Sequence, residues 1–250
     1  MGKHLIRLKI DLCISLMKNN LIKLEWDSKF FDKNIAELNI SADDDLKNPK
    51  LKNNPYDLIV SKQHQDSQVE IEGFVETFKE TKIVFSKLLN ENVSENSHEI
   101  FDTDYLPQED EYFFHLAYES GKHSRFLLDP HFGETKFREL YKLWVINSLN
   151  KTFAIKTFYT KEDKLGATGF VTVQQSGNIA KIGLIAIHPL LQGKGIGRSL
   201  LQSTENYCLE NGMTTMDIPT QEQNTGACNF YQKMGYAVQE RIILKHFWKK

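Results

Sequence analysis

Apolar residues recur along this chain with two periods, and each change of period marks an element. Residues 21–40, L-I-K-L-E-W-D-S-K-F-F-D-K-N-I-A-E-L-N-I, predict a strand, a turn across residues 26–32 and a second strand. A polar stretch with two prolines, S-A-D-D-D-L-K-N-P-K-L-K-N-N-P, follows and reads as loop. Residues 56–60 form a short apolar run, and residues 73–86 end in another, T-K-I-V-F, each bounded as buried strands are. The polar break N-E-N-V-S-E-N-S then separates a small domain, residues 1–96, from a larger one, residues 97–250.

Beyond the break the elements lengthen. Residues 107–120 predict a helix, with Pro107 and acidic residues in the first turn and Gly121 past the end. Residues 137–149 predict a second, with Leu140, Leu143, Trp144 and Leu149 at helical spacing. Three strands follow at 152–159, 166–174 and 179–187, separated by the hairpin signals K-E-D-K and Q-S-G-N. After Pro189 a helix places Ile196, Leu200, Leu201, Thr204, Tyr207 and Cys208 on one face, with Gly212 as its C-terminal cap. A strand at 214–218, a helix at 226–234 and a strand at 236–244 close the chain. The class is α/β in the α+β sense, and no internal repeat appears.

The 250 residues include 31 Lys plus Arg against 33 Asp plus Glu, a net charge of −2. No basic field is available to gather a nucleic-acid backbone. No apolar run approaches the ~20 residues that span a bilayer, so no membrane insertion is expected. The opening M-G-K-H-L-I-R-L-K-I-D-L-C-I-S-L-M mimics a secretion signal, but Asp11 interrupts it and no small-residue cleavage site follows. Residues 1–16 are set aside from site reasoning, Met17 being an alternative start. Cys13, Cys208 and Cys228 lack disulfide or metal spacing and fit a reducing cytoplasm. His115, His123, His131 and His188 form no ligand array, so no metal is expected.

Q-G-K-G-I-G-R, residues 192–198, carries the clearest chemistry. Alternate glycines between a strand and a helix let backbone N–H groups converge, and the helix N-terminus adds its own free amides. The result is a cradle for a diphosphate, with Lys194 and Arg198 as charges for its oxygens. A P-loop is excluded because neither Gly121-Lys122 nor Gly193-Lys194 is followed by Ser or Thr. A dinucleotide fingerprint has an acid, Asp217, at the ribose-binding distance, but its glycine pattern fails, the sixth position being Arg198 counted from Gly193 and Leu200 counted from Gly195, and too little chain remains for a doubly wound sheet.

What remains is [QR]-x-x-G-x-[GA], present as Gln192, Gly195 and Gly197, followed downstream by N-T-G-A-C-N-F-Y-Q-K-M-G-Y. Together these resemble the GNAT superfamily of acetyl-CoA-dependent N-acetyltransferases. The resemblance implies a mixed, mostly antiparallel sheet splayed at the acetyl-CoA site. Pantetheine would bond the free backbone of Leu184, Ile185, Ala186 and Ile187, and the diphosphate would lie on Gln192, Gly193, Lys194, Gly195, Ile196, Gly197 and Arg198. Those four strand residues also read as plain buried strand. Direct transfer is implied, with Tyr231 as general acid, a backbone N–H near Ile187 for the oxyanion, and Cys208 and Cys228 as core residues. Asn224, seven residues before Tyr231, stands open between helix cap and pantetheine contact.

Further stretches, L-E-W-D-S-K-F-F, G-F-V-E-T-F-K-E-T-K-I-V-F, S-R-F-L-L-D and R-E-L-Y-K-L-W-V, resemble the branch of that superfamily acting on nucleotide-linked amino sugars. That resemblance implies acetylation of a dTDP-linked 4-amino-4,6-dideoxyhexose, a homodimer, and a base in the first domain at Glu80, with Glu76 as the alternative. The small domain would then contribute to the acceptor site. Arg125 and Phe126 fall where the fold shapes that site, although a surface ion pair is an equal use for Arg125. Trp26, Phe30 and Phe31 stand between base stacking and core packing. The competing functions are protein N-terminal or lysine acetylation, against which the first domain argues, and a non-catalytic acyl-CoA-binding module.

Overall fold

The computed structural model describes residues 21–40, 55–90, 97–102, 111–162 and 165–250. The readings for residues 1–16, Cys13, Met17, most of the polar break and Pro107 fall outside them. The chain divides into two compact units, one reaching Lys82 and rejoined by Arg241–Lys250, the other Ile83–Glu240.

The first unit contains β1 (Leu21–Lys23), α1 (Glu25–Phe31), β2 (Ile35–Ile40), β3 (Leu58–Gln63), the start of β4 (Phe74–Leu88) and the end of β10 (Ala237–Lys249). Its strand order is β1-β2-β3-β10-β4. β2 and β3 run parallel, with Ile35 opposite Leu58, and β10 runs antiparallel to β3, with Lys245 opposite Ser61. Leu38, Ile40, Ile59, Val69, Ile71, Phe74 and Phe247 form its core.

The expected turn at 26–32 is instead the helix α1. Ser28 and Phe31, three apart, both face inward, and the Ser28 hydroxyl accepts from Ile35 N at 3.0 Å and donates to Ile35 O at 3.3 Å. Asp32 ends the helix at φ 52°, a conformation Asp tolerates. One inward stripe and one stitched turn outweigh the turn-like composition.

The second unit holds the rest of β4, β5 (Phe101–Asp102), α2 (Glu111–Ser120), α3 (Arg125–Leu128), α4 (Glu134–Leu149), β6 (Lys156–Glu162), β7 (Gly166–Ser176), β8 (Ile179–Ile187), α5 (Ile196–Glu210), β9 (Thr215–Gln221), α6 (Thr225–Lys233) and the first residues of β10. Its strand order is β4-β9-β8-β7-β6-β5. Every described pair from β5 to β8 is antiparallel and β8–β9 is parallel, a mixed sheet of the expected class.

The helix α5 buries Ile196, Leu200, Leu201, Thr204 and Cys208, five of the six residues expected on that face. Phe113 of α2 is fully buried, its ring edge-on to Phe170 at 5.6 Å. At Gly121 a Cβ would stand 2.5 Å from the Tyr141 ring, so only glycine admits this approach of the residue ending α2 to α4. The expected strand at 152–159 begins late, at Lys156, because Thr152 N is taken by the Asn150 side chain at 3.0 Å in the turn after α4. Arg125 and Phe126, expected with Ser124 in the loop after the first helix of this unit, begin the single-turn α3, capped by the Ser124 hydroxyl, which accepts from Phe126 N at 3.2 Å.

Candidate functional site

The site is built where β8 loses its parallel partner. Pairing with β9 covers Ile179↔Thr215, Ala180↔Met216 and Lys181↔Asp217 and goes no further, while pairing with β7 continues to Ile187↔Gly169. The β9-facing edge of β8 is therefore without a strand partner from Ile182 to Ile187, the segment expected to receive pantetheine. The separation coincides with a bulge: Val171 faces Ile185 and Val173 faces Ile182, so Thr172 stands opposite two residues, Gly183 and Leu184. The Thr172 hydroxyl accepts from Leu184 N at 2.8 Å, so that N–H is engaged with β7. A Cβ on Gly183 would stand 2.8 Å from the same oxygen.

Pro189–Leu191 form a single 3₁₀ turn after β8, and the glycine loop leads from it into α5. Gln192 bends its amide back to donate to Ile187 O at 3.2 Å. Gly193 and Gly195 hold φ of 78° and 91°, open to glycine and strained for most other residues. Gly195 is the N-cap of α5 and offers no side-chain cap, so among the described residues nothing accepts from the amides of Ile196, Gly197 and Arg198. Gly197 lies beside α6 and the end of β8, where a Cβ would be in ordinary contact, 3.4 Å from Phe230 Cζ and 3.7 Å from Ile187 Cγ1. Lys194 and Arg198 are exposed beside these amides. Bare amides, the positive end of a fifteen-residue helix and two cations suit a diphosphate and repel a cation.

α6 begins differently. The Asn224 carbonyl oxygen accepts from Ala227 N at 3.3 Å, so capping, one of its two expected uses, is present. Two turns on, Tyr231 is 4% exposed, with ring centroids 5.5 Å from Phe230 and 5.6 Å from Phe85. Burial pushes its phenol well above the ordinary tyrosine value, so it stays protonated at neutral pH. Nothing among the described residues hydrogen-bonds that hydroxyl, which leaves its proton available. Cys228 on the same helix directs its thiol at Gln221 O, 3.6 Å away, and burial raises the Cys208 thiol to about 12, so Cys208 is no thiolate nucleophile.

Arg125 lies over the Phe126 ring at 4.6 Å, and Phe126 is buried, edge-on to Phe132 at 5.3 Å and to Trp144 at 6.1 Å. Phe126 thus packs beneath Arg125. The loop before them reaches the start of α6, because Gln223 Nε2 donates to His123 O at 3.5 Å. Burial, then the charge of Lys122, lowers the His123 imidazole below its ordinary value. In the first unit, Glu80 on β4 is 5% exposed, whereas Glu76 is accessible and has an oxygen 3.7 Å from Lys245 Nζ. Trp26 and Phe30 stack on each other at 5.2 Å with rings nearly parallel, and Phe31 is in the core.

Three features escaped sequence reasoning. The bulge had a signal, an isolated glycine within a strand pattern at Gly183. The interior polar set did not: Tyr236 Oη donates to Glu205 Oε1 at 2.7 Å while Lys87 Nζ donates to Glu205 Oε2 at 2.8 Å, joining three segments distant in sequence. Nor did Ser97 and His98, which meet the start of α5 and the glycine loop from about a hundred residues away.

A model of the acetyltransferase (GNAT) family matches residues 85–236. The dTDP-fucosamine acetyltransferase of Escherichia coli O6:H1 is 24% identical over 220 residues, covering 86% of this chain and 92% of that protein. The spore coat polysaccharide biosynthesis protein SpsD of Bacillus subtilis is 25% identical over 57% of this chain, and the match spans 48% of SpsD, about half its length. Among solved structures, a putative GNAT-family acetyltransferase from Novosphingobium aromaticivorans superposes with TM-score 0.53 at 11% identity, covering 78% of this chain and 75% of that one. A conserved protein of unknown function from Staphylococcus epidermidis gives 0.55 at 13% identity, covering 78% and 74%. These likenesses speak for the fold.

Proposed function

This chain belongs to the acetyltransferase (GNAT) family, and from that premise we propose that it moves acetyl from acetyl-CoA to the amino group of a nucleotide-linked amino-deoxy sugar, a dTDP-4-amino-4,6-dideoxyhexose. The observation that carries the sugar is the extent of one likeness: the match to the dTDP-fucosamine acetyltransferase runs over 220 residues, more than the family span 85–236 contains. The likeness therefore takes in chain outside the acetyltransferase core, where acceptor preference is expected to reside.

The chain's own groups divide the work. The amides at the start of α5, with Lys194 and Arg198, hold the diphosphate of acetyl-CoA. The unpartnered edge of β8 takes the pantetheine arm as a further strand. The amine, in its unprotonated form, attacks the thioester carbonyl; the C–N bond forms, the oxyanion rests on backbone N–H near Ile187, and the C–S bond then breaks. Tyr231 gives its proton to the departing sulfur, and the proton lost from nitrogen passes to a base. No covalent enzyme intermediate is required, in keeping with the placement of both described cysteines.

An acceptor panel of 3-amino and 4-amino dideoxyhexose nucleotides, followed by thiol release and mass spectrometry, tests the reading. Acetylation of the 4-amino dTDP sugar is expected. Acetylation of peptides alone would make the chain a protein acetyltransferase, and acetyl-CoA binding without turnover on any acceptor would make it a binding module. Arg125→Ala is expected to raise the acceptor KM by about 10- to 100-fold and leave that for acetyl-CoA unchanged, as befits a charge-assisted bond to the sugar's diphosphate. An equal rise for both substrates would make Arg125 structural.

A further inference from the structure

The amides of the glycine loop bind an anion only if they face it, and two glycines with φ near 80–90° leave the intervening peptides free to turn over. Rotation of one peptide by half a turn would replace an N–H with a carbonyl oxygen, changing attraction for a phosphate into repulsion. Something must fix the orientation.

The ring of His98 is placed to do so, since its Nε2 lies 2.9 Å from Lys194 O. A carbonyl oxygen only accepts, so Nε2 carries the proton, which both the neutral Nε2–H tautomer and the imidazolium supply. The peptide joining Lys194 to Gly195 is trans, as are all the described peptides, so its N–H points opposite to its C=O. Holding the Lys194 carbonyl toward His98 therefore aims the Gly195 N–H away from His98, on the side opposite the ring. Next to it, Ser97 Oγ lies 3.2 Å from Ser199 Oγ in the first turn of α5, where Ser199 is 1% exposed. The two contacts anchor the 97–98 segment to both the loop and the helix. Both side chains lie against the loop: a Cβ on Gly195 would stand in ordinary contact with them, 3.4 Å from His98 Nε2 and 3.7 Å from Ser97 Oγ.

We propose that His98 is a positioning residue for the diphosphate of acetyl-CoA, acting through the Lys194–Gly195 peptide rather than by touching the ligand. This rests on the reading of the glycine loop as the acetyl-CoA site. Its consequence is specific: His98 matters to a ligand with a diphosphate and is indifferent to one without.

Calorimetric binding of CoA, with pantetheine measured by competition, separates the possibilities. In His98→Phe, which keeps a ring and loses the donor, the Kd for CoA is expected to rise about tenfold, the worth of one well-made hydrogen bond. The Kd for pantetheine should stay unchanged. His98→Gln, whose side-chain amide is a donor, should recover most of the CoA affinity. Equal losses for CoA and pantetheine would make His98 a general structural residue and overturn the proposal. So would unchanged CoA affinity in folded His98→Phe, or no recovery in folded His98→Gln. If the wild-type protein binds CoA no more tightly than pantetheine, the loop does not hold the diphosphate, and the reading beneath the proposal fails instead.

Discussion

Two helices of the second unit stand side by side and begin in opposite ways. α6 opens with Asn224, whose side chain occupies Ala227 N. α5 opens with Gly195, which has no side chain to offer and leaves the amides of Ile196, Gly197 and Arg198 without an acceptor among the described residues. Glycine at that position forgoes the side-chain bond at a cost of only about a few tenths of a kcal/mol relative to Ser, Thr, Asp or Asn. α5 nevertheless supports the larger packed face, with seven buried residues against the one, Tyr231, of α6. Stability for α5 comes from its side chains, so its N-terminal backbone is released for a ligand. For α6 the cap is built in, and the contribution to chemistry is one side chain in its last turn, Tyr231.

Tyr231→Phe tests the side-chain half of this contrast and carries the largest expected effect. The ring packing against Phe85 and Phe230 is kept and only the hydroxyl is lost, so the melting temperature should stay within a degree or two. Turnover is expected to fall toward the lower end of the ~10²–10⁴-fold typical of general acid catalysis, because a thiolate leaves partly unassisted. The KM for acetyl-CoA should move little. Wild-type turnover in this variant would take the acid role from Tyr231.

Gly195→Asp tests the backbone half. Asp is among the few residues that tolerate a left-handed backbone, and it sets a carboxylate against the amides, giving α5 the kind of start that α6 has. The Kd for CoA should rise by about 10- to 100-fold, the loss of one charge-assisted bond, with circular dichroism unchanged. Unaltered affinity in a folded variant would remove the loop from the site.

The smallest change is expected for Asn224→Ala. If Asn224 is a cap and nothing more, denaturant unfolding should show a loss of about 1 kcal/mol while the KM for acetyl-CoA stays within twofold. A tenfold rise in that KM would give Asn224 the pantetheine contact and blur the contrast between the helices.

How much of this was legible in the sequence depended on how local the cause was. β8, α5 and the glycine after α5 were readable because alternation, helical period and Gly212 each act within a few residues. α1 was misread because its stability comes from Ser28 bonding Ile35 and Phe31 reaching the core, neither of which a seven-residue composition announces. β4 looked like a short strand at its end but runs the full Phe74–Leu88, since its polar first half is held by neighbouring strands. The units exchange segments, with Ile83–Leu88 of β4 in the second and Arg241–Lys250 in the first, and no shift of composition marks either passage. Within the site, glycine spacing exposed the cradle, but the carbonyl held by His98 is 96 residues away and has no local signature.

Amide hydrogen exchange, with and without acetyl-CoA, tests the central claim most directly, because it reads the two helix starts in one sample. The amides of Ile196, Gly197 and Arg198, which have no acceptor among the described residues, should exchange fast and slow markedly when acetyl-CoA is added, while Ala227, already bonded to Asn224, should exchange slowly and hardly change. Exchange at residues 196–198 that is indifferent to saturating acetyl-CoA would contradict the account.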